Sequence, residues 1–308
     1  MLAFLLFQVS KRTRSRDPSV YLTVSGDSET SNTLTLQESG KRFELVRDAI
    51  YDRCKSFRQP LSKRQLQVLY ARLIVNDHHK AIYCPVWKSG STSWRAVMLV
   101  LNGSFKTLDE AVKSIYALRG LTTFKSYKNR SEIEFRLSNY KKFMSYREPL
   151  NRFAADYLML RTRSRSHDAQ SKRAVQYADS VRGHPHPQHP WQNMSIQDFG
   201  TYVVRFGNET TGLDKLDKQW IPQNLACHPC HIQYDYYIDM ESSTVNEDIH
   251  YILAMIGADW LKMPHVNPTT KDKSPYLSLL SESMYNRLLS VYYNDYEIFG
   301  FKRPRRKE

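Results

Sequence analysis

Residues 81–103 read AIYCPVWKSGSTSWRAVMLVLNG, and the fold follows from how this stretch is divided. The apolar run Ala81-Ile82-Tyr83-Cys84-Pro85-Val86 predicts a short buried strand. Lys88-Ser89-Gly90-Ser91-Thr92 then makes a small-residue turn, and Ser93-Trp94 to Leu101 predicts a helix that stops at Asn102-Gly103. Strand, turn and helix start together make an anion cradle, where free backbone N–H groups and the positive end of the helix dipole converge. Lys88 adds a full charge, and Ser91, Thr92 and Ser93 can cap the helix or donate to phosphate oxygens. The order GxxxxGK[ST] is absent, because the lysine precedes the small residues, so nucleoside triphosphate hydrolysis is disfavoured. Taken alone, the pattern describes a capped helix with an exposed lysine equally well.

A second unit of the same shape lies at Lys142–Tyr146, a strand candidate, followed by Arg147-Glu148-Pro149 and a helix over Leu150–Leu160. Pro149 suits a first helical turn. Arg147 falls at the carboxyl end of its strand, where open α/β sheets bind ligands, and a guanidinium there can hold a second phosphate bidentately. Its bland alternative is a salt bridge to a neighbouring acid.

Around these units the 308-residue chain carries a formal net charge of +14 and a pI near 9.5, with 41% apolar residues. That is enough to bury a full core, and the charge points to an anionic partner: nucleic acid, anionic lipid or an acidic polysaccharide. Residues 1–40, rich in Ser, Thr, Arg and Asp, read as a stem or linker, and the folded domain is expected over 41–302. Helical patterns precede the first strand at FELVRDAIYDRC, beginning at Phe43, and at Gln65–Leu73. The basic, then His/Pro-rich stretch 161–190 reads as a surface insertion, and 303–308 as a solvated basic tail. The insertion's His184, His186 and His189 read as a proline-broken loop, and no metal site is expected. From Ile196 onwards amphipathic helices return.

The opening run MLAFLLF is too short to span a bilayer, and no other stretch qualifies. Sequons at Asn102, Asn129, Asn193 and Asn208 lean towards the secretory pathway. Cys54, Cys84, Cys227 and Cys230 do not form two CxxC pairs, which disfavours structural zinc. Cys227 and Cys230 can pair with each other or with Cys54 or Cys84, and the sequence leaves the connectivity and the redox compartment open.

YCPVWKSGSTSWRAVMLVLNG resembles the 5′-phosphosulfate-binding motif of the Golgi carbohydrate sulfotransferases that include the chondroitin and dermatan 4-O-sulfotransferases. YREPLNRFAADY, residues 146–157, resembles their 3′-phosphate-binding motif. WIPQNLACHPCHIQYD, residues 220–235, and YYNDYEIFGF, residues 292–301, resemble two further blocks of that family in the same order. The resemblance covers about Phe43 to Phe301. It implies an α/β, P-loop-like sulfotransferase fold with a central parallel sheet flanked by helices, using 3′-phosphoadenosine 5′-phosphosulfate as donor and no metal.

By that resemblance Lys88, Ser89, Gly90, Ser91, Thr92, Ser93 and Trp94 hold the 5′-phosphosulfate, with Lys88 stabilising the leaving oxygen, and Arg147 holds the 3′-phosphate. The implied acceptor is an acidic glycan, with the 4-hydroxyl of N-acetylgalactosamine in chondroitin or dermatan as first choice. The implied setting is the Golgi lumen, reached by a type II membrane anchor upstream of this sequence. Nucleic acid is not an expected partner, because no recognition module accompanies the charge.

The chain departs from the family pattern in four places. Ala155 replaces a serine that also touches the 3′-phosphate, a loss of about 1.5–3 kcal/mol for a hydrogen bond to a charged group. Trp87 replaces a proline and Ser91 a frequent cysteine. Gln219 replaces a histidine, and glutamine cannot act as a general base. His228, His231 and Glu241 are then the candidates for taking the acceptor's proton. The alternative reading is a catalytically silent descendant that binds glycan or nucleotide.

Overall fold

The computed structural model describes residues 26–114, 120–162, 194–206, 219–263 and 273–304, together with a few positions between 176 and 183. The stretch 161–190, the basic end of the tail, and Asn193 and Asn208 lie wholly or largely outside the described residues. Four strands form one sheet in the order β1 (Ile74–Asn76), β2 (Ala81–Cys84), β3 (Lys141–Tyr146) and β4 (Tyr236–Asp239). β2, β3 and β4 are parallel, with Tyr83 opposite Phe143 and Phe143 opposite Tyr236, while β1 pairs antiparallel along the edge of β2. The parallel core matches the expectation. The antiparallel edge strand is an addition, permitted by the short Asp77–Lys80 connection between β1 and β2.

Side chains alternate across these strands as the two-residue period requires. Ala81, Tyr83, Phe143, Tyr236 and Ile238 enter one core, and Ile82, Cys84, Met144, Tyr146 and Tyr237 enter the other. The first core is filled by α3 (Ser91–Leu101), where every residue but Thr92 is buried, so α3 is apolar on nearly all sides. The second is filled by α2 (Lys63–Arg72) and by the face of α1 (Gly26–Cys54) that carries Ile50 and Cys54. α4 (Leu108–Lys113) and α5 (Arg130–Asn139) complete the crossover to β3.

A third core gathers α6 (Pro149–Thr162), α7 (Ile196–Phe206), α11 (Glu282–Val291) and α12 (Tyr293–Phe299) around Phe153, Phe199 and Trp220. The short α8 (Gln223–Cys227), α9 (Val245–Met255) and α10 (Ser274–Leu277) connect the parts.

α1 reaches back to Gly26, into the stretch read as a stem. Ser39, fully buried, accepts a 2.7 Å bond from Arg42, whose guanidinium also pairs with Asp248 at 2.8 Å. Ser39, Phe43, Ile50 and Cys54 lie on one helical stripe. The polar composition of 26–40 concealed a helix in which Ser39 is the buried residue among the described side chains 35–40.

Cys54 bonds to Cys230 and Cys84 to Cys227, so the two cysteines of the CxxC go to different partners, and among the described residues no cysteine is free. One bridge ties the end of α1, the other the end of β2, to the same turn after α8. The loops they close span 176 and 143 residues, long enough for large effects on the unfolded chain. Replacing Cys54 and Cys230 together with serine should lower unfolding free energy by about 2–5 kcal/mol, measured by urea titration against the unreduced parent.

Candidate active site

β2 delivers the loop Pro85–Gly90 to the start of α3. Gly90 is the residue before the helix and has φ +72°, and Lys88 also lies in the left-handed region at φ +68°. The backbone twist at Gly90 favours glycine, and a β-carbon there would also lie 2.8 Å from Met240 Cε, displacing the end of that side chain. For Lys88 the same twist is a strain, held in place by what surrounds it.

The loop is braced from behind by β3: Ser145 Oγ donates to the Ser89 carbonyl, and Arg147 Nη1 donates to the Lys88 carbonyl at 3.3 Å. The first helical bond of α3 runs from Trp94 N to Gly90 O, so the loop ends at the positive end of the helix dipole. Ser89 Oγ is buried with no hydrogen-bond partner, a cost unless something polar arrives there. That orphaned hydroxyl, beside a helix start, fits an anionic group such as the donor's phosphosulfate.

Lys88, Ser89, Gly90, Ser91, Thr92 and Ser93 form the end of this loop and the first turn of α3. Trp94 is not part of their surface. It is fully buried with its ring 4.7 Å from Phe143 and 5.9 Å from Tyr83, and it serves the core behind the loop. Lys88 Nζ turns towards α6, 3.4 Å from the buried carboxylate of Asp156 and against Met159.

Arg147 follows β3 directly, and its backbone is clamped at both ends by one side chain. Gln223 Oε1 accepts from Arg147 N at 2.9 Å, and Gln223 Nε2 donates to Arg147 O at 2.8 Å. Gln223 is itself fixed by Asp295, whose two oxygens accept the backbone N–H groups of Gln223 and Asn224 at 2.7 Å each. Asp295 is fully buried. Burial pushes its carboxyl up to about 6, opposed by the charge of Arg152 and by these N–H groups.

Arg147 Nε reaches the carboxylate of Glu241 at 2.8 Å. Asn151 Nδ2 donates to the other oxygen of Glu241 at 3.0 Å, and Lys273 Nζ lies 3.9 Å from the first. Glu241 comes here because Met240 N bonds the Tyr146 carbonyl at 3.0 Å, extending the β3–β4 pairing by one step. The bland alternative for Arg147, a salt bridge, is thus present in this state.

Of the three candidate proton acceptors, only Glu241 adjoins Arg147. His228 ends α8 in the left-handed region, and burial, then His231 and Arg72, lower it to about 4. His231 is lowered by burial and lines a cavity of about 540 Å³ with Arg47, Tyr51 and Lys142, at the opposite end of β3. Four residues, a span of five extended steps or about 16 Å, lie between Lys142 and Arg147.

Gln219 offers its carbonyl to Arg152 Nη1 at 2.8 Å, beside Trp220, which packs on Phe199 and Tyr202. Asn102 and Asn129 are both exposed. Asn102 caps α3 and donates to the Gly120 carbonyl, and Asn129 caps α5. Among the described residues no three His, Cys, Asp or Glu side chains converge as a metal site would need, and no helix is long and apolar enough to cross a membrane.

The turn after β2 and the clamped Arg147 after β3 stand side by side at the carboxyl ends of a parallel sheet, the place where open α/β folds bind their ligands. The model of the sulfotransferase family matches residues 71–302, and the chain belongs to that family. Its curated relatives are carbohydrate sulfotransferases. Carbohydrate sulfotransferase 14 of Danio rerio is 28% identical over 255 residues, covering 79% of this chain and 66% of that protein. Carbohydrate sulfotransferase 10 of Homo sapiens is 26% identical over 296 residues, covering 86% and 76%. Carbohydrate sulfotransferase 11 of Danio rerio is 27% identical over 272 residues, covering 84% and 75%. No solved structure matches the chain.

With its carboxyl held above the ordinary range, Asp295 binds a proton more tightly folded than unfolded. Its contribution to stability therefore falls as pH rises from about 4 to about 6 and is level above that. His228, lowered to about 4, contributes with the opposite sign over the same range in both proteins, so the effect is read as a difference: in urea titrations between pH 4 and 7 the parent should lose stability relative to Asp295→Asn as pH rises.

Proposed function

We propose that this protein is a working carbohydrate sulfotransferase, taking its sulfuryl group from 3′-phosphoadenosine 5′-phosphosulfate. The observation that carries the reading is the bond from Arg147 to the Lys88 carbonyl, which joins the two cationic elements into one unit. A donor with a phosphosulfate at one end of its ribose and a phosphate monoester at the other needs two such anion sites side by side.

Lys88 and Ser89–Ser93 hold the phosphosulfate, and Arg147 holds the 3′-phosphate. In transfer, the acceptor oxygen forms a bond to sulfur as the bond to the donor's bridging oxygen breaks, leaving adenosine 3′,5′-bisphosphate. Lys88 stabilises the charge growing on that bridging oxygen, the electrostatic contribution expected to dominate. In-line transfer otherwise depends on alignment, which a rigid, doubly braced loop supplies. Glu241 takes the acceptor's proton; its carboxylate is the candidate that borders Arg147, whereas His231 lines the cavity at the opposite end of β3.

The acceptor is an acidic glycan, with the 4-hydroxyl of N-acetylgalactosamine in chondroitin or dermatan first, supported by the net charge of +14 and the relatives' class. The setting is the Golgi lumen on a type II anchor. Two disulfides suit an oxidising compartment, and Asn102 and Asn129 are exposed sequons.

Labelled sulfate offered with donor to desulfated chondroitin, desulfated dermatan and a neutral glycan should pass to the first two. Lys88→Ala should lower kcat by about 10²–10³. Glu241→Gln should lower it by about 10²–10⁴ and flatten the acid limb of the pH–rate profile. Absence of transfer by folded protein that still binds adenosine 3′,5′-bisphosphate would favour the silent-descendant reading that Ala155 and Gln219 suggest.

A further inference from the structure

The side chain of Glu241 is gripped as a ligand would be. Arg147 and Asn151, four residues apart where β3 gives way to α6, meet Lys273 from the approach to α10. All three point positive or hydrogen-donating groups at one carboxylate, at 2.8, 3.0 and 3.9 Å. Lys273 is nearly buried, with its side chain 9% exposed, a placement that costs a lysine unless an anion meets it. Glu148, the other carboxylate at this helix start, is turned elsewhere, accepting from Asn151 N at 2.6 Å and from the Tyr296 hydroxyl.

Resting on the donor reading above, we propose that Asn151 and Lys273 complete the subsite for the donor's 3′-phosphate, and that Glu241 occupies it in the free protein as an internal substitute. A phosphate monoester carries more charge than a carboxylate and offers three acceptor oxygens, enough for an arginine, an amide and a lysine together. Position 155 provides no hydroxyl to this phosphate, and the amide of Asn151 and the ammonium of Lys273 supply the missing donors. When the phosphate takes the three partners, Glu241 is released beside the loop, so donor binding also frees the carboxylate that accepts the proton.

The test is calorimetric binding of adenosine 3′,5′-bisphosphate and of adenosine 5′-monophosphate to the whole chain, read as the ratio of the two affinities. Lys273→Met and Asn151→Ala should each lower that ratio by about tenfold, as loss of a charge-assisted bond implies, while monophosphate binding holds and so reports an intact fold. Glu241→Gln should raise bisphosphate affinity several-fold, because a neutral amide releases the site more readily. If Arg147→Ala abolishes the preference but Lys273→Met and Asn151→Ala leave it intact, this subsite is wrong and the donor reading stands. Weaker bisphosphate binding by Glu241→Gln would likewise overturn the substitution. A parent that shows no preference between the two nucleotides would sink both.

Discussion

The two hydrogen bonds by which Gln223 grips the backbone of Arg147 are the constraint on which the site depends. β3 ends at Tyr146, and beyond it the backbone would have no partner. The carboxamide of Gln223 acts there as a one-residue strand, satisfying the N–H and the C=O and fixing the direction in which the guanidinium leaves. Asp295 fixes Gln223 in turn. Arg152, fully enclosed in α6, donates to the carbonyls of Gln219, Trp220 and Ile221 and so secures the approach to α8. The last helix of the chain thereby governs an arginine placed near its middle.

Charge around the loop is balanced within the protein. Asp156 stands against Lys88 and Glu241 against Arg147, each pair at least partly withdrawn from water. Such pairs gain less from attraction than their distances suggest, because burial has already cost each ion its hydration. Any anion bound at these cations would exchange one set of ionic contacts for another, and the free-energy difference between the two sets, more than the total attraction, would determine affinity. A basic surface brings a polyanion close but does not settle which groups receive it.

Much of the fold was legible because local signals agreed. The strands at Ala81 and Lys142 and the helices after them combine apolar runs, small-residue turns and a proline at the first helical position, and all four elements form within two or three residues of where the pattern puts them. The positions of Lys88 and Arg147 after their strands were legible for the same reason. Trp94 was misplaced because a tryptophan at a helix start is compatible with either a ligand face or a core face, and only the position of Phe143 decides between them.

Asn151, Gln223, Lys273 and Asp295 left no local signal, since each acts through partners far away in sequence. Asp156 gave a faint one, as an acid in the otherwise apolar run FAADYLML. The cysteine pairing was illegible because four thiols permit three connectivities, and only the adjacency of α1, β2 and the turn after α8 selects one.

That pairing also changes what a broken backbone means. Cys54 and Cys84 precede, and Cys227 and Cys230 follow, the whole stretch that contains α3, the loop after β3 and the excursion 161–190. A single cut anywhere between Cys84 and Cys227 yields two polypeptides that remain fastened at two points. After a cut beyond Lys88, one fragment would carry Lys88 and the other Asp295, and they could separate only after reduction. A nicked molecule is therefore, in covalent terms, still one molecule, with the strand behind the anion loop tied to the turn that supports it.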